Sequence, residues 1–246
     1  VERTFVSGAL QRLRARLARR VRERLGVPSI PASLARLARA GFRPDTVFDV
    51  GAYRGDFAAD VLAVWPAAQV ACFEPLPGRA EALRARFAGA AVQVHDAVLG
   101  ARSGTPVALS LAETASSVLE EHAAQDFTRI ERHTSALDDL VAQGQLPPRC
   151  ALLKLDVQGY ELAVLEGAQR LLGQVEVVLL ELNLLDLHVG VPLLHEVLAW
   201  LAARGFVAWD LAGLTRRPLD DALWQVDVVA VRADGALRRD KRWEAR

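Results

Sequence analysis

The sequence predicts an α/β protein built on a mostly parallel sheet with helices on both faces. Three observations carry that prediction. From Pro44 onward, short apolar runs alternate with segments of helical period, the pattern of strands joined by crossover helices. Residues 175–183, VEVVLLELN, are apolar on both faces for most of their length, as a central strand must be. A glycine turn follows the first strand at Gly51 and leads directly into helical periodicity.

Taken in order, strands are expected near 46–50, 69–74, 91–95, 150–156, 175–183, 206–210 and 225–232. Helices are expected near 55–65, 78–87, 160–172 and 191–204. Segment 100–149 is less regular. Gly100 to Pro106 reads as a hairpin turn between short strands, 112–134 as a polar excursion able to cover a substrate, and 136–142 as a short helix. No internal repeat or low-complexity tract interrupts the chain.

The N-terminal part has a different character. Residues 1–43 carry eleven arginines against Glu2 and Glu23, so a basic segment precedes an acidic body. Leu10, Leu13, Leu17, Val21 and Leu25 fall at helical spacing within 9–25, with arginine on the other faces. The expected organisation is a basic helical extension over 1–43 and a catalytic domain over 44–246. Such a helix packs as a solvated edge element or contacts an anionic membrane surface or acidic partner. Ser33 is expected to cap a second helix over 34–40, closed by Gly41.

Composition narrows the function classes. The 246 residues carry 30 cationic and 30 acidic side chains, which argues against a nucleic-acid binder at whole-chain level. Cys72 and Cys150 sit in apolar runs and read as reduced core thiols. No uncharged stretch is long enough to span a membrane, and no apolar signal segment opens the chain, so a cytoplasmic location is expected. Arginine outnumbers lysine 28 to 2, a composition typical of GC-rich bacterial genomes.

The first candidate site is the loop Asp49-Val50-Gly51-Ala52-Tyr53-Arg54-Gly55-Asp56. Its spacing, D-x-G-x-x-x-G, differs from the G-x-G-x-x-G of dinucleotide folds. An acid beside the turn suits a ligand with a free ammonium group rather than a pyrophosphate. S-adenosylmethionine, which combines an amino-acid moiety, a sulfonium and no phosphate, fits better than NAD. Glu74-Pro75 ends the second strand, where a carboxylate accepts from both ribose hydroxyls. Asp96-Ala97 ends the third strand, where Asp96 is placed to accept from an adenine amino group.

Two central strands carry the remaining candidates. Lys154 and Asp156 share one side of a strand, as do Glu181 and Asn183 on the next. Neighbouring placement would pair Lys154 with Glu181 and set Asp156 near Asn183. Asp156, Lys154, Glu181 and His188 are the catalytic candidates; burial can lower the lysine pKa into the useful range, but the sequence does not fix its direction. Ser116, Ser117, Gln158 and Asn183 are the substrate-side candidates. No cluster has convincing metal-ligand spacing, so no metal is expected.

The runs FDVGAYRGD (48–56), FEP (73–75), Ser116-Ser117, LDDL (137–140), LKLDVQGYE (153–161) and LLELN (179–183) resemble the FkbM family of S-adenosylmethionine-dependent methyltransferases. The resemblance covers roughly residues 40–232. It implies a class I methyltransferase, Rossmann-like fold with a seven-stranded sheet and an antiparallel last strand matching Gln225–Arg232. It also implies O-methylation of a small molecule, natural product or glycan, with S-adenosylhomocysteine as product. By the same resemblance Asp49, Gly51 and Gly55 form the cofactor loop, Glu74 holds the ribose and Asp156 closes the site. Gln158 stands where the family often has Glu. Two competing readings are an NAD-dependent Rossmann oxidoreductase and a non-catalytic binding module that keeps the cofactor fold.

Overall fold

The computed structural model describes residues 25–110 and 129–244. The helix expected over 9–25 (all but Leu25), together with Ser116, Ser117 and His122, lies outside the described residues.

Ten strands and six α-helices alternate along the described chain. They are α1 (Ile30–Arg39), β1 (Thr46–Val50), α2 (Asp56–Val64), β2 (Gln69–Phe73), α3 (Pro77–Arg86), β3 (Val92–His95), β4 (Val98–Leu99), β5 (Pro106–Ser110), β6 (Arg129–Ser135), α4 (Leu137–Ala142), β7 (Leu152–Leu155), α5 (Glu161–Glu166), β8 (Val177–Asn183), α6 (Leu194–Ala202), β9 (Phe206–Arg216) and β10 (Leu223–Arg232). Seven strands form one sheet in the order β3-β2-β1-β7-β8-β10-β9. The β1, β2, β3, β7 and β8 pairings are parallel, and β10 runs antiparallel to both β8 and β9. This is the class I methyltransferase, Rossmann-like arrangement, and all seven strands of the sheet fall where the periodicity predicts them.

The two faces of the sheet carry separate cores. Phe48, Val50, Phe73, Leu153, Leu155, Leu180 and Val228 fill one. Val47, Cys72, Leu152, Leu179 and Val229 fill the other, beneath α1 and α2. Burying both faces explains why β1 and β7 expose none of their residues. Cys72 and Cys150 are buried free thiols, each pushed well above the usual thiol range by desolvation.

The irregular segment departs from expectation. Strands β4 and β5 do not form a hairpin; both flank β6 in a three-stranded sheet ordered β4-β6-β5. Strand β6 occupies residues 129–135, the last part of the stretch expected to be a polar excursion. Its alternating exposure leaves one face wet, so its sequence lacks the apolar run that marks a central strand. The helix expected over 160–172 also divides, into α5 and a 3₁₀ turn at Leu171–Gln174.

Helix α1 starts at Ile30, four residues before the predicted start, with Ser29 rather than Ser33 at its N-cap and Pro31 in its first turn. Leu34 and Leu37 are fully buried against the sheet, so this part of the basic segment belongs to the domain core. The Ser33 hydroxyl, also buried, donates to Asp210 on β9 at 2.8 Å, and Arg36 Nε donates to the same oxygen at 2.7 Å. Asp210→Ala is expected to cost about 1–3 kcal/mol by stranding the buried hydroxyl. Urea denaturation checks this, with Asp210→Asn losing less.

Candidate active site

The parallel strands end at one edge of the sheet. The chain leaves β1 for β2 on one side, while β7 lies on the other, which makes the β1/β7 boundary the topological switch point where open α/β sheets bind ligands. A cavity opens there, walled by the Gly51 turn, Glu74 and Pro75, the apolar Ala97, Val98, Leu99 and Leu109, and the 156–160 loop with Glu181 behind it.

The glycine turn is shaped by packing on two sides. Gly51 has φ +76°, and a Cβ there would lie 1.9 Å from the Asp156 carbonyl oxygen. Gly55 has φ +80°, and its Cβ would meet the Phe87 ring at 2.5 Å. The first glycine lets β7 close against the turn; the second lets α3 do so. The amides of Gly51 and Ala52 both donate to the Phe73 carbonyl at 3.0 Å, that of Tyr53 to Glu74 Oε2 at 3.0 Å, and that of Gly55 to the Ala52 carbonyl at 2.7 Å. Four amides of the turn are therefore engaged within the protein. Tyr53, at φ +47°, faces the cavity with the Arg79 guanidinium 4.7 Å from its ring centroid. Asp56, at the start of α2, is exposed and pairs with Arg86 at 2.7 Å, away from the cavity.

Glu74 is 3% exposed. Oε2 accepts from Tyr53 and Oε1 from the Leu76 amide at 3.1 Å, which locks the carboxylate while each oxygen keeps a lone pair for a ligand. Burial raises its pKa against the opposing pull of these amides. Ala97 lines the cavity, whereas the Asp96 carboxylate turns to Arg132 at 2.6 Å. The predicted adenine acceptor is thus occupied by a guanidinium that β6 supplies.

One face of the sheet changes chemistry at this edge. Val47, Leu152, Leu179 and Val229 are apolar; two residues nearer the edge stand Asp49, Lys154, Glu181 and Asp227. Side-chain alternation keeps each pair on one face. Register then chooses partners. Asp49 lies beside Lys154, Leu179 beside Lys154 on the other flank, and Asp227 opposite Glu181. Lys154 Nζ sits 3.1 Å from Asp49 and 3.5 Å from Asp156, and donates to the Gly51 carbonyl at 2.8 Å.

This corrects two expectations and fixes the direction of the lysine pKa, which the sequence left open. Lys154 pairs with Asp49 and not with Glu181, because the parallel register sets Leu179 at its other side. Its pKa is not lowered: burial pulls it down, but Asp49 and Asp156 more than reverse that, and it stays charged. It is therefore no base. Asp49 is fully buried and does not line the cavity, so it braces the lysine instead of meeting a ligand.

Asp156, Gln158 and Glu181 do meet in the cavity wall. Gln158, at φ +54°, donates its side-chain amide to Asp156 Oδ1 at 3.1 Å and to Glu181 Oε2 at 2.8 Å. Asn183 was expected near Asp156. Instead it is buried beside Gln225, which donates to Asn183 Oδ1 at 3.3 Å and to Glu181 Oε2 at 2.8 Å. His188 is 3% exposed and outside the cavity lining. The chain after β8 folds back through an Asn183–Leu193 bridge, turning inward a residue predicted to sit at the site edge.

Residues 49–208 match the sequence profile of the Methyltransferase FkbM domain. The chain belongs to the FkbM methyltransferase family. No curated protein matches it in sequence. Among solved structures it is similar to a precorrin-6y C5,15-methyltransferase from Geobacter metallireducens, at 14% identity over 82% of this chain and 87% of that one with a TM-score of 0.47. It is also similar to an rRNA methylase from Streptococcus thermophilus, at 10% identity over 78% and 90% with a TM-score of 0.43.

Three residues of this FkbM chain escaped the sequence reading. Glu161 Oε1 accepts from the amides of Val157 and Gly159, both at 3.1 Å, and so holds the 156–160 loop. Gln225 and Asp227 lie on β10, beyond the stretch that matches the family. An acid inside an otherwise apolar run, such as Asp227 in VDVVAV, was the available signal. Burial first, then neighbouring charge, drives these acids upward: Glu161 to about 7, Asp227 to about 6 and Glu181 to about 9. Glu181 responds to burial and then to Asp156.

Proposed function

We propose that this methyltransferase binds S-adenosylmethionine in the β1/β7 cavity and methylates a hydroxyl oxygen of a small molecule, natural product or glycan. The observation that carries the reading is the charge layout of the cavity. Glu74, its oxygens aligned by backbone amides, follows β2; Asp156 and Glu181 come from β7 and β8 on the other side of β1, and Ala97, Val98 and Leu99 add an apolar part to the same cavity wall. That donor set fits a nucleoside with a cationic, phosphate-free substituent: ribose hydroxyls on Glu74, the base on the apolar wall, positive charge toward Asp156.

When bound, the cofactor supplies an electrophilic methyl group on a sulfonium. The chain's own work is orientation and proton handling. Holding two reactants in line contributes about 7–11 kcal/mol of barrier reduction. Gln158 and Gln225 fix Glu181 Oε2, which leaves its other oxygen to take the acceptor's hydroxyl proton.

Titration calorimetry tests the cofactor, and transfer of labelled methyl to a panel of hydroxylated acceptors tests the chemistry. S-adenosylhomocysteine is expected to bind more tightly than NAD; the reverse order overturns the reading. Label recovered on nitrogen or carbon would overturn the O-methylation part. Glu74→Ala is expected to weaken S-adenosylhomocysteine at least tenfold, or about 1.4 kcal/mol.

A further inference from the structure

Charge does not balance at the strand tips. Asp49, Asp156, Glu181, Asp227 and Glu161 converge there; among the described residues Lys154 is the cation that pairs with Asp49 and Asp156, while Arg79 lines the same cavity. That lysine lies closer to Asp49 than to Asp156, and it donates its hydrogen bond to the Gly51 carbonyl. Glu181 is left half-buried between Asp156, to which Gln158 ties it, and Asp227, its opposite number on β10. Two like charges at this separation from water are strongly unfavourable, so the pair needs either a proton or a second cation.

We propose that Glu181 is a proton-linked counter-ion: it is protonated in the empty protein and gives up that proton when a sulfonium enters the cavity. The inference rests on the S-adenosylmethionine reading and deepens it. The elevated pKa of Glu181, about 9, agrees with the geometry. The consequence is a device that distinguishes cofactor from product. In transfer, the acceptor's O–H bond breaks as its oxygen bonds the methyl carbon. The carbon–sulfur bond breaks with its electron pair going to sulfur, and the proton goes to Glu181. Sulfur becomes neutral as the carboxylate does, so product leaves a site whose charge has returned to its starting state.

The groups able to compete are Asp156 at the end of β7, Asp227 on β10, Glu161 on α5, the Asp49–Lys154 pair, and Glu74, Arg79 and Tyr160, which line the same cavity; Gln158, Asn183 and Gln225 supply only neutral amides. The sign follows from linkage: a ligand that favours ionised Glu181 binds better as pH rises toward 9, and releases a proton on binding.

Calorimetry in two buffers of different ionisation enthalpy, from pH 6 to 8, counts that proton. S-adenosylmethionine is expected to release up to one proton and to gain up to tenfold affinity per pH unit relative to S-adenosylhomocysteine. Glu181→Gln is expected to abolish the difference, and Asp227→Asn, which removes one of the two like charges, to shrink it without abolishing it. Equal proton release by both ligands in the unmodified protein overturns the proposal without touching the cofactor assignment, as does an undiminished difference in Glu181→Gln. Failure of both ligands to bind overturns the cofactor assignment and the proposal together.

Discussion

Lys154→Met is expected to destabilise the protein by about 3–5 kcal/mol at pH 7, the range for breaking a buried ion pair by removing one partner. The lysine is 5% exposed and its main partner Asp49 is fully buried. Removing the ammonium leaves Asp49 desolvated without compensation and frees the Gly51 carbonyl. In a domain of this size that corresponds to a melting temperature lower by roughly 6–20 °C. The deficit is expected to shrink between pH 7 and pH 5. Burial raises the Asp49 pKa, and without Lys154 opposing it the carboxyl is raised further. A group with a raised folded pKa contributes most below its unfolded pKa and loses that contribution as pH rises through the folded one. Urea midpoints at the two pH values check the sign. The double variant Asp49→Asn/Lys154→Met is expected to recover part of the loss, since it removes the stranded charge. An unchanged midpoint in Lys154→Met would show that the pair carries no stabilisation.

Gly51→Ala is expected to be comparably severe and to act on the cavity itself. The position has φ +76°, costly for any residue with a Cβ, at about 1–3 kcal/mol. The added methyl would also lie 1.9 Å from the Asp156 backbone oxygen, which cannot swing aside as a side chain would. The tips of β1 and β7 must separate, adding about 1–3 kcal/mol of overpacking. S-adenosylhomocysteine affinity is expected to fall more than tenfold together with thermal stability. Gly55→Ala provides the contrast. Its clash is with the Phe87 and Leu83 side chains, so stability should fall while affinity in the folded fraction stays closer to that of the parent protein. Equal affinity in Gly51→Ala would remove the turn from the site.

The two lysines among thirty cationic residues deserve a physical reading. Arginine serves nearly everywhere else in this chain, yet position 154 requires a compact ammonium that reaches two carboxylates and a carbonyl at once. A planar guanidinium presents its donors in a rigid fork. The rarity of lysine was visible in the composition, and its location in an apolar strand marked it as paired. Its partner was not visible.

Much of the architecture is written in local periodicity. Apolar runs such as VEVVLLELN announce buried strands, glycine after β1 announces the tight turn, and Glu74 at a strand tip announces a cavity-lining acid, because each depends on neighbours only a few residues away. Alternation even placed Lys154 with Asp156, and Glu181 with Asn183, on definite faces of their strands. Which of them touch is a different kind of information. Register between strands set Asp49 against Lys154 and Asp227 against Glu181, and register is the summed outcome of contacts across the whole sheet. Protonation is more remote still. It follows from how much water the fold removes and how many charges it gathers, so a glutamate that looks like any other in the primary structure has its pKa raised only once β7, β8 and β10 are assembled.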